Sequence, residues 1–400
     1  MSTPTPPTPA SQLRQARQDT VALAVLIAVV LIGFAVTAWM VRRYDAVRAA
    51  RAWNWQRAGK QALEKNQPRQ AAEDYRNALA YNSDNAGYQF GLGTALFRSG
   101  KLNQARHYFS ILWQRTPQSG PVNLSLARVE AKAGNASAAV RYYHNAIYGL
   151  WQRNGAAQRE AARRELIAFL LREGEETQAD AEILALSATL PPTAAARIAI
   201  GQQLLAVGDN HHALQEFQAE LHQGANNYAA LVGAGRASFR LAQYAQARAY
   251  LQRAVRLRPH DIVAAPLLAT ATQVLELDPY AFGVSRPERD ERVQRDLRIA
   301  WARLHRCLPA AAPAKAGGGA PAPAAAPAAV PAPLAKLSAT GKALQQKMAR
   351  GRLFHGPDAV SQIMSFVFQV EQATAATCGA PTGSDLALLL IARQRAGAGQ

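Results

Sequence analysis

AGYQFGLGTALFRSGKLNQARHYFSILWQRTPQS, residues 86–119, decides the fold. Apolar and small side chains recur every three or four positions on both sides of Ser99-Gly100, so the stretch reads as two helices joined by a tight turn. Small residues at Gly93 and Ala105 let the two helices approach closely, and the Phe109 ring fills what space remains. One such hairpin cannot bury its apolar faces alone. Neighbours of the same kind are therefore to be sought along the chain.

They recur with a period of 34 residues. Toward the N-terminus the same phase gives Trp55 to Gly59 and then Ala71-x3-Tyr75-x2-Ala78; toward the C-terminus it gives Leu126-Ala127 and Ala139-x3-Tyr143-x2-Ala146. Six extra residues, Asn154 to Arg159, break the register. It resumes with Ala179-x3-Ile183 and Pro191, with Gly201 and Ala213-x3-Phe217, and with Gly235, Ala247-x3-Leu251-x2-Ala254 and Pro259. The intervening turns hold Asn66, Gly134, Gly174 and Gly208.

This pattern resembles the tetratricopeptide repeat (TPR), W-x2-L-G-x2-Y…A-x3-F…P. The resemblance covers about half of the chain. It implies an all-α fold in which six units, 52–85, 86–119, 120–153, 160–193, 194–227 and 228–261, stack as a right-handed α-solenoid. The fourth departs most, with Ile167 where glycine is expected. Residues 262–308 read as capping and amphipathic helices, with Leu267, Leu268 and Val274 on the first of them.

In that family the first helix of each unit lines a concave groove through its second, fifth, ninth, twelfth and thirteenth positions. Carried onto this chain, those positions hold Lys60, Arg98, Arg128, Lys132, Arg164, Arg172, Arg236 and Arg240, interleaved with Trp53, Phe90, Phe97 and Phe239. The resemblance thus implies a basic groove with aromatic anchors, suited to an acidic or extended segment of a partner protein. A solvated, unused face is the other reading. The fifth positions, Gln56, Phe90, Leu124 and Arg164, do not match the carboxylate clamp of the family, so a chaperone C-terminus is not the expected ligand.

Upstream of the repeats, Val21 to Val41 runs for 21 residues without a charge and ends beside Trp39. At 1.5 Å per residue that spans about 30 Å, the thickness of a bilayer core. The run is too long, and its end too bulky, for a cleaved signal peptide. Residues 1–20, rich in Pro, Thr, Ser and Gln, read as a flexible tail. Two Lys/Arg precede the span and six follow within about 20 residues, a balance that leans the soluble part toward the cytoplasm. Arg42 to Arg51 form a cationic collar against lipid.

Downstream, RPERDERVQRDLRIAWARLHRC, 286–307, puts Val293, Leu297, Ala300 and Leu304 on one stripe. Residues 309–333 are almost all Ala, Pro and Gly and read as a linker. Residues 334–400 read as a small helical module: Leu334 to Met348, a second helix opening at Pro357 and stopped by Gly379, and a third capped by Ser384. So small a module needs the repeats or a partner to dock on.

The whole chain is 400 residues, 49% apolar, with a formal charge of +18. That charge fits lipid headgroups, acidic proteins or nucleic acid, and equally a solvated basic surface; the acids of 286–307 make nucleic acid the outsider. Cys307 and Cys378 lack metal-ligand spacing and are either two buried thiols or one disulfide, the latter requiring an oxidising compartment such as a periplasm. No nucleotide loop, zinc-protease or serine-hydrolase motif occurs, so neither enzyme, cofactor nor metal is expected. The sequence therefore reads as a single-pass membrane protein, in layout like anchored TPR proteins of bacterial inner membranes that serve envelope assembly, secretion or quality control. As an adaptor it binds a partner in the groove; the rival is a subunit of a membrane complex whose groove is filled by its own C-terminal module.

Overall fold

The computed structural model describes residues 9–308, 332–356 and 358–398, without the side chains of 9–19, 21, 22 and 398. Expectations for residues 1–8, the linker from 309 to 331 and Pro357 lie outside the described residues. Seventeen α-helices and no strand occur among the described residues, in two compact units, Met1–Glu175 and Glu176–Gln400. The fold is all-α and built of helix-turn-helix pairs.

The first unit holds α1 (Pro9–Glu64), α2 (Pro68–Tyr81), α3 (Ala86–Arg98), α4 (Leu102–Arg115), α5 (Gly120–Lys132), α6 (Ala136–Ile147) and α7 (Gly155–Glu173). Helix α1 begins at Pro9, so residues 9–20 are helical where a flexible tail is expected. Proline suits a first helical position, and Gln, Leu, Ala and Arg follow it without a breaker. The helix then runs unbroken through the apolar stretch and the arginine collar into the first repeat. From Leu23 it is long and apolar enough to cross a membrane, and none of its most apolar window is buried. Its last turns pack on α2.

The packing code of the pairs is explicit. Ala71, Ala105, Ala139, Ala179, Ala213 and Ala247, the twentieth residues of the six units, are all fully buried. Gly59 and Gly91 pinch the Tyr75 ring from two sides: a Cβ on Gly59 would come within 2.9 Å of it, and one on Gly91 within 2.3 Å. Gly201 and Gly233 hold the Phe217 ring the same way, at 2.7 and 2.4 Å. At these two repeats the ring at the twenty-fourth position thus locks its own hairpin to the next one, and only glycine leaves room for it.

Each turn between paired helices reverses through one left-handed residue, always the fifteenth of its unit. Gly100, Gly134, Gly174 and Gly208 take it with φ between 77° and 84°, joined by Asn66 at 55° and Ala242 at 57°. The inserted residues divide. Asn154 ends a loop that begins at residue 148 in the third repeat, and Gly155 onward joins α7, because Ala156 to Glu160 are good helix formers once Asn154 has turned the chain at φ 48°.

The second unit holds α8 (Glu176–Ser187), α9 (Ala194–Val207), α10 (Asn210–Gln223), α11 (Tyr228–Arg240), α12 (Tyr244–Leu257), α13 (Ala264–Leu277), α14 (Arg286–Cys307), α15 (Ala332–Ala349), α16 (Ala359–Thr377) and α17 (Gly383–Ala398). Helix α13 pairs less with α14 than with α17, the last helix of the chain, while α14 turns to α16. Val293, Leu297, Ala300 and Leu304 of α14 enter one core with Val274 and Leu277 of α13, Val367 of α16 and Leu388 of α17. The C-terminal module is therefore docked on its own unit. Ser384 lies inside the first turn of α17, which opens at Gly383, rather than at its cap.

Candidate functional site

Most of the cations at groove positions are already committed within the protein. Arg98 donates from Nη1 to the carbonyl of Leu63 at 3.0 Å, and Arg240 donates from Nη1 to that of Leu205. Both are thirteenth residues, and each neutralises the carbonyl end of the first helix one unit earlier, where the helix dipole favours a cation. Arg128 grips Glu165 with both guanidinium arms, which holds its pKa above the ordinary value. Arg164 pairs with Glu160 one turn back, at 2.9 Å. Lys132 Nζ lies 5.4 Å from the centre of the Phe97 ring, and the Arg172 guanidinium lies 5.9 Å from that of Phe169. Lys60 is exposed and Arg236 half-buried.

The aromatic positions fare likewise. Phe97 rests half-buried against the first unit's core, and Phe90 meets Phe109 edge-on at 5.6 Å. In the second unit Phe239 stands edge-on to Tyr244 at 5.3 Å. Trp53 remains half exposed with the Arg57 guanidinium 3.7 Å over its ring. Arg98 and Arg240 thus brace successive repeats, and Phe90 lines an open cavity.

That cavity belongs to the first unit. It encloses about 1120 Å³ between the start of α3, the end of α4, the start of α5 and the loop of residues 148–154, with Phe90, Leu112, Val122, Leu150 and Trp151 among its walls. The loop is fixed by backbone pairing: Gly120 N donates to Leu150 O at 2.9 Å and Leu150 N to Gln118 O at 2.7 Å. Trp151 donates its indole N–H to Ala146 O at 2.9 Å, and its ring sits so close over Gly120 that a Cβ there would meet it at 2.3 Å. Leu150 is 68% exposed and Tyr148 75% exposed. Reading by period passes over these residues because they close the third repeat, after its last recurring position at Ala146 and before the break; the signal that marks them is the run Tyr148-Gly149-Leu150-Trp151, with three large side chains in a loop.

In the second unit the C-terminal module is held by a polar lock. Arg303 donates to Thr374 Oγ1 at 2.7 Å, to Gly379 O at 3.0 Å and to Asp385 Oδ2 at 3.2 Å. Arg306 reaches the same Asp385 oxygen at 2.9 Å. Beside this lock Cys307 and Cys378 are joined as a disulfide, with Cα atoms 5.7 Å apart. Two carboxyls are fully buried here, Asp296 and Glu371. Burial drives the Asp296 pKa up to about 8, with Asp278 adding to the rise. Burial also takes Glu371 to about 8 with help from Asp385, in spite of Arg303 Nε only 3.3 Å away. That contact lacks hydrogen-bond geometry, so loss of water prevails over it.

Comparison with known proteins agrees with the helical pairs. Residues 57–120 and 198–262 match the family model of the tetratricopeptide repeat, so the chain carries TPR repeats. No protein of curated function matches it. Among solved structures it is similar to PilF of Pseudomonas aeruginosa, at 15% identity over 55% of this chain and 96% of that one, with a TM-score of 0.36. It is also similar to YrrB, a TPR protein with an unusual peptide-binding site, at 17% identity over 48% and 97%, with a TM-score of 0.36. PilW, a type IV pilus biogenesis factor, is similar at 13% identity over 54% and 98%, with a TM-score of 0.34.

Proposed function

We propose that the chain is an adaptor fixed to a membrane by α1, whose helical repeats hold a segment of a partner protein. The observation that carries this is the makeup of the first unit, where one helix supplies both an entirely exposed apolar stretch and the first member of the repeat stack. Exposed apolar surface of that length is costly in water and favourable in lipid. Arg42 to Arg51 follow it directly and suit an anionic headgroup layer. A role in bacterial envelope assembly, secretion or quality control fits this layout.

The side of the membrane follows from weighing two signals. Six Lys/Arg after the span favour the cytoplasm, yet large folded domains cross regardless of such flanks. A Cys307–Cys378 bond needs oxidising surroundings. We therefore place the repeats on the oxidising side, which in a bacterium is the periplasm.

The rival reading, a complex subunit whose own C-terminal module fills its groove, draws support from α17, which packs on α13 at the end of the second unit. Partner capture then belongs to the first unit, where Lys60 and the Lys132 ammonium over the Phe97 ring, both exposed, can meet an acidic segment. Purification of the full chain from membranes in mild detergent tests this. A partner that is retained at low salt and released as salt rises, more readily from a Lys60→Glu, Lys132→Glu protein, fits the adaptor; a complex indifferent to both fits the subunit. Recovery of the chain in the soluble fraction after lysis would sink the anchoring.

A further inference from the structure

We infer that the cleft walled by the loop of residues 148–154 is a binding site for an extended peptide that carries large apolar side chains and one carboxylate. Its volume, about 1120 Å³, exceeds the range of about 300–1,000 Å³ that suits small molecules. Its walls are mostly apolar, and Leu150 presents an open hydrophobic lip. The uncharged polar groups around it are the hydroxyls of Thr116 and Ser119 and the amides of Gln118, Gln152 and Gln158, and the amides can donate to and accept from a peptide backbone. Among the described lining residues Arg153 is the one that is charged, and it is exposed. An anion on the ligand is the complement to that cleft, and an uncompensated cation is not.

The site is also preformed. The paired backbones of Gln118 to Gly120 and Leu150, together with the seated Trp151, hold the lip in place before any ligand arrives, so little ordering cost is left to binding. A free small anion is a poor fit, because Arg153 stands at the solvent edge without a second cation in the lining. The carboxylate can come from an acidic side chain or from a chain terminus; either chemistry meets a guanidinium fork.

This inference rests on the reading of the repeats as partner-binding, and the test separates the two. The full chain in detergent micelles is offered two displayed libraries of random peptides, one embedded within a carrier and one ending in a free C-terminus. Enrichment of sequences with spaced large apolar residues and one acid is expected in the first library if a side chain supplies the carboxylate, and in the second without the acid if the terminus does. Leu150→Asn should weaken the enriched peptides about tenfold, the loss of one buried leucine. Arg153→Gln should abolish the preference for acid over amide while leaving apolar selection intact. No enrichment, or peptides indifferent to both substitutions, overturns the proposal. If a partner co-purifies from membranes undiminished by both substitutions, the cleft assignment fails and the adaptor stands. If peptides respond as expected while no partner is retained from membranes, the adaptor fails and the cleft stands.

Discussion

At Ala242 a side chain occupies the left-handed turn that glycine takes in four of the other five units. For a non-glycine L-residue this conformation costs about 1–2 kcal/mol. Ala242→Gly relieves that cost but loosens the unfolded chain, which returns about 0.4–1 kcal/mol. A net gain of a few tenths to about 1 kcal/mol is expected, read as a higher denaturant midpoint at unchanged slope. Asp296 and Glu371 make a second residue-scale prediction. Below about pH 4 each carboxyl is protonated in both folded and unfolded chains. Between there and about 8 the folded chain keeps a proton that the unfolded chain has lost, so stability falls as pH rises through that window. Each contributes a slope of at most about 1.4 kcal/mol per pH unit. Asp296→Asn should flatten the fall between about pH 5 and 8, and a slope equal to wild type would contradict the assignment.

At the scale of elements, the ring pinched between two glycines is the unit of stacking. Gly233→Ala places a methyl where the Phe217 ring already sits, 2.4 Å away, and should cost about 1–3 kcal/mol. The same change at Gly208 tests a different thing, since nothing lies within 4 Å of its Cβ and only its φ of 84° opposes alanine. How much of this was legible follows from the range of the interactions. Glycine, alanine and ring positions repeat with the period, so the hairpins and their phase could be read off the chain. The work of the basic residues could not: Arg98 and Arg240 reach carbonyls 35 residues away, and a helical position does not say whether its cation faces a ligand or a neighbouring helix end. Asp296 lies on the apolar stripe of α14, but a polar residue in such a stripe reads as surface until burial is seen. The cleft escaped because its lip, Leu150 and Trp151, falls between the recurring positions of the third repeat and the break, and periodicity carries no information about residues outside the positions that recur.

At the scale of the molecule, α1 ties a lipid-compatible stretch to the first unit, and the chain's last helix closes the second. The Cys307–Cys378 bond spans 71 residues of sequence. Disulfides typically contribute about 2–4 kcal/mol. Cys307→Ser, Cys378→Ser should lower the stability of the second unit by that amount, and thiol reductant should lower the parent protein to the same level. Resistance of the parent to both would show that Arg303 and the apolar core hold the module unaided. The proposed membrane anchoring and the proposed partner capture both fall in the first unit, and one measurement reaches both. A photo-activated cross-linker in place of Leu150, triggered in intact cells, is expected to yield an adduct with a distinct partner protein in the membrane fraction. The same probe in place of Phe282, exposed in the second unit, is expected not to capture that partner. An adduct absent at Leu150, or found only among soluble proteins, would contradict a membrane-held adaptor that binds its partner there.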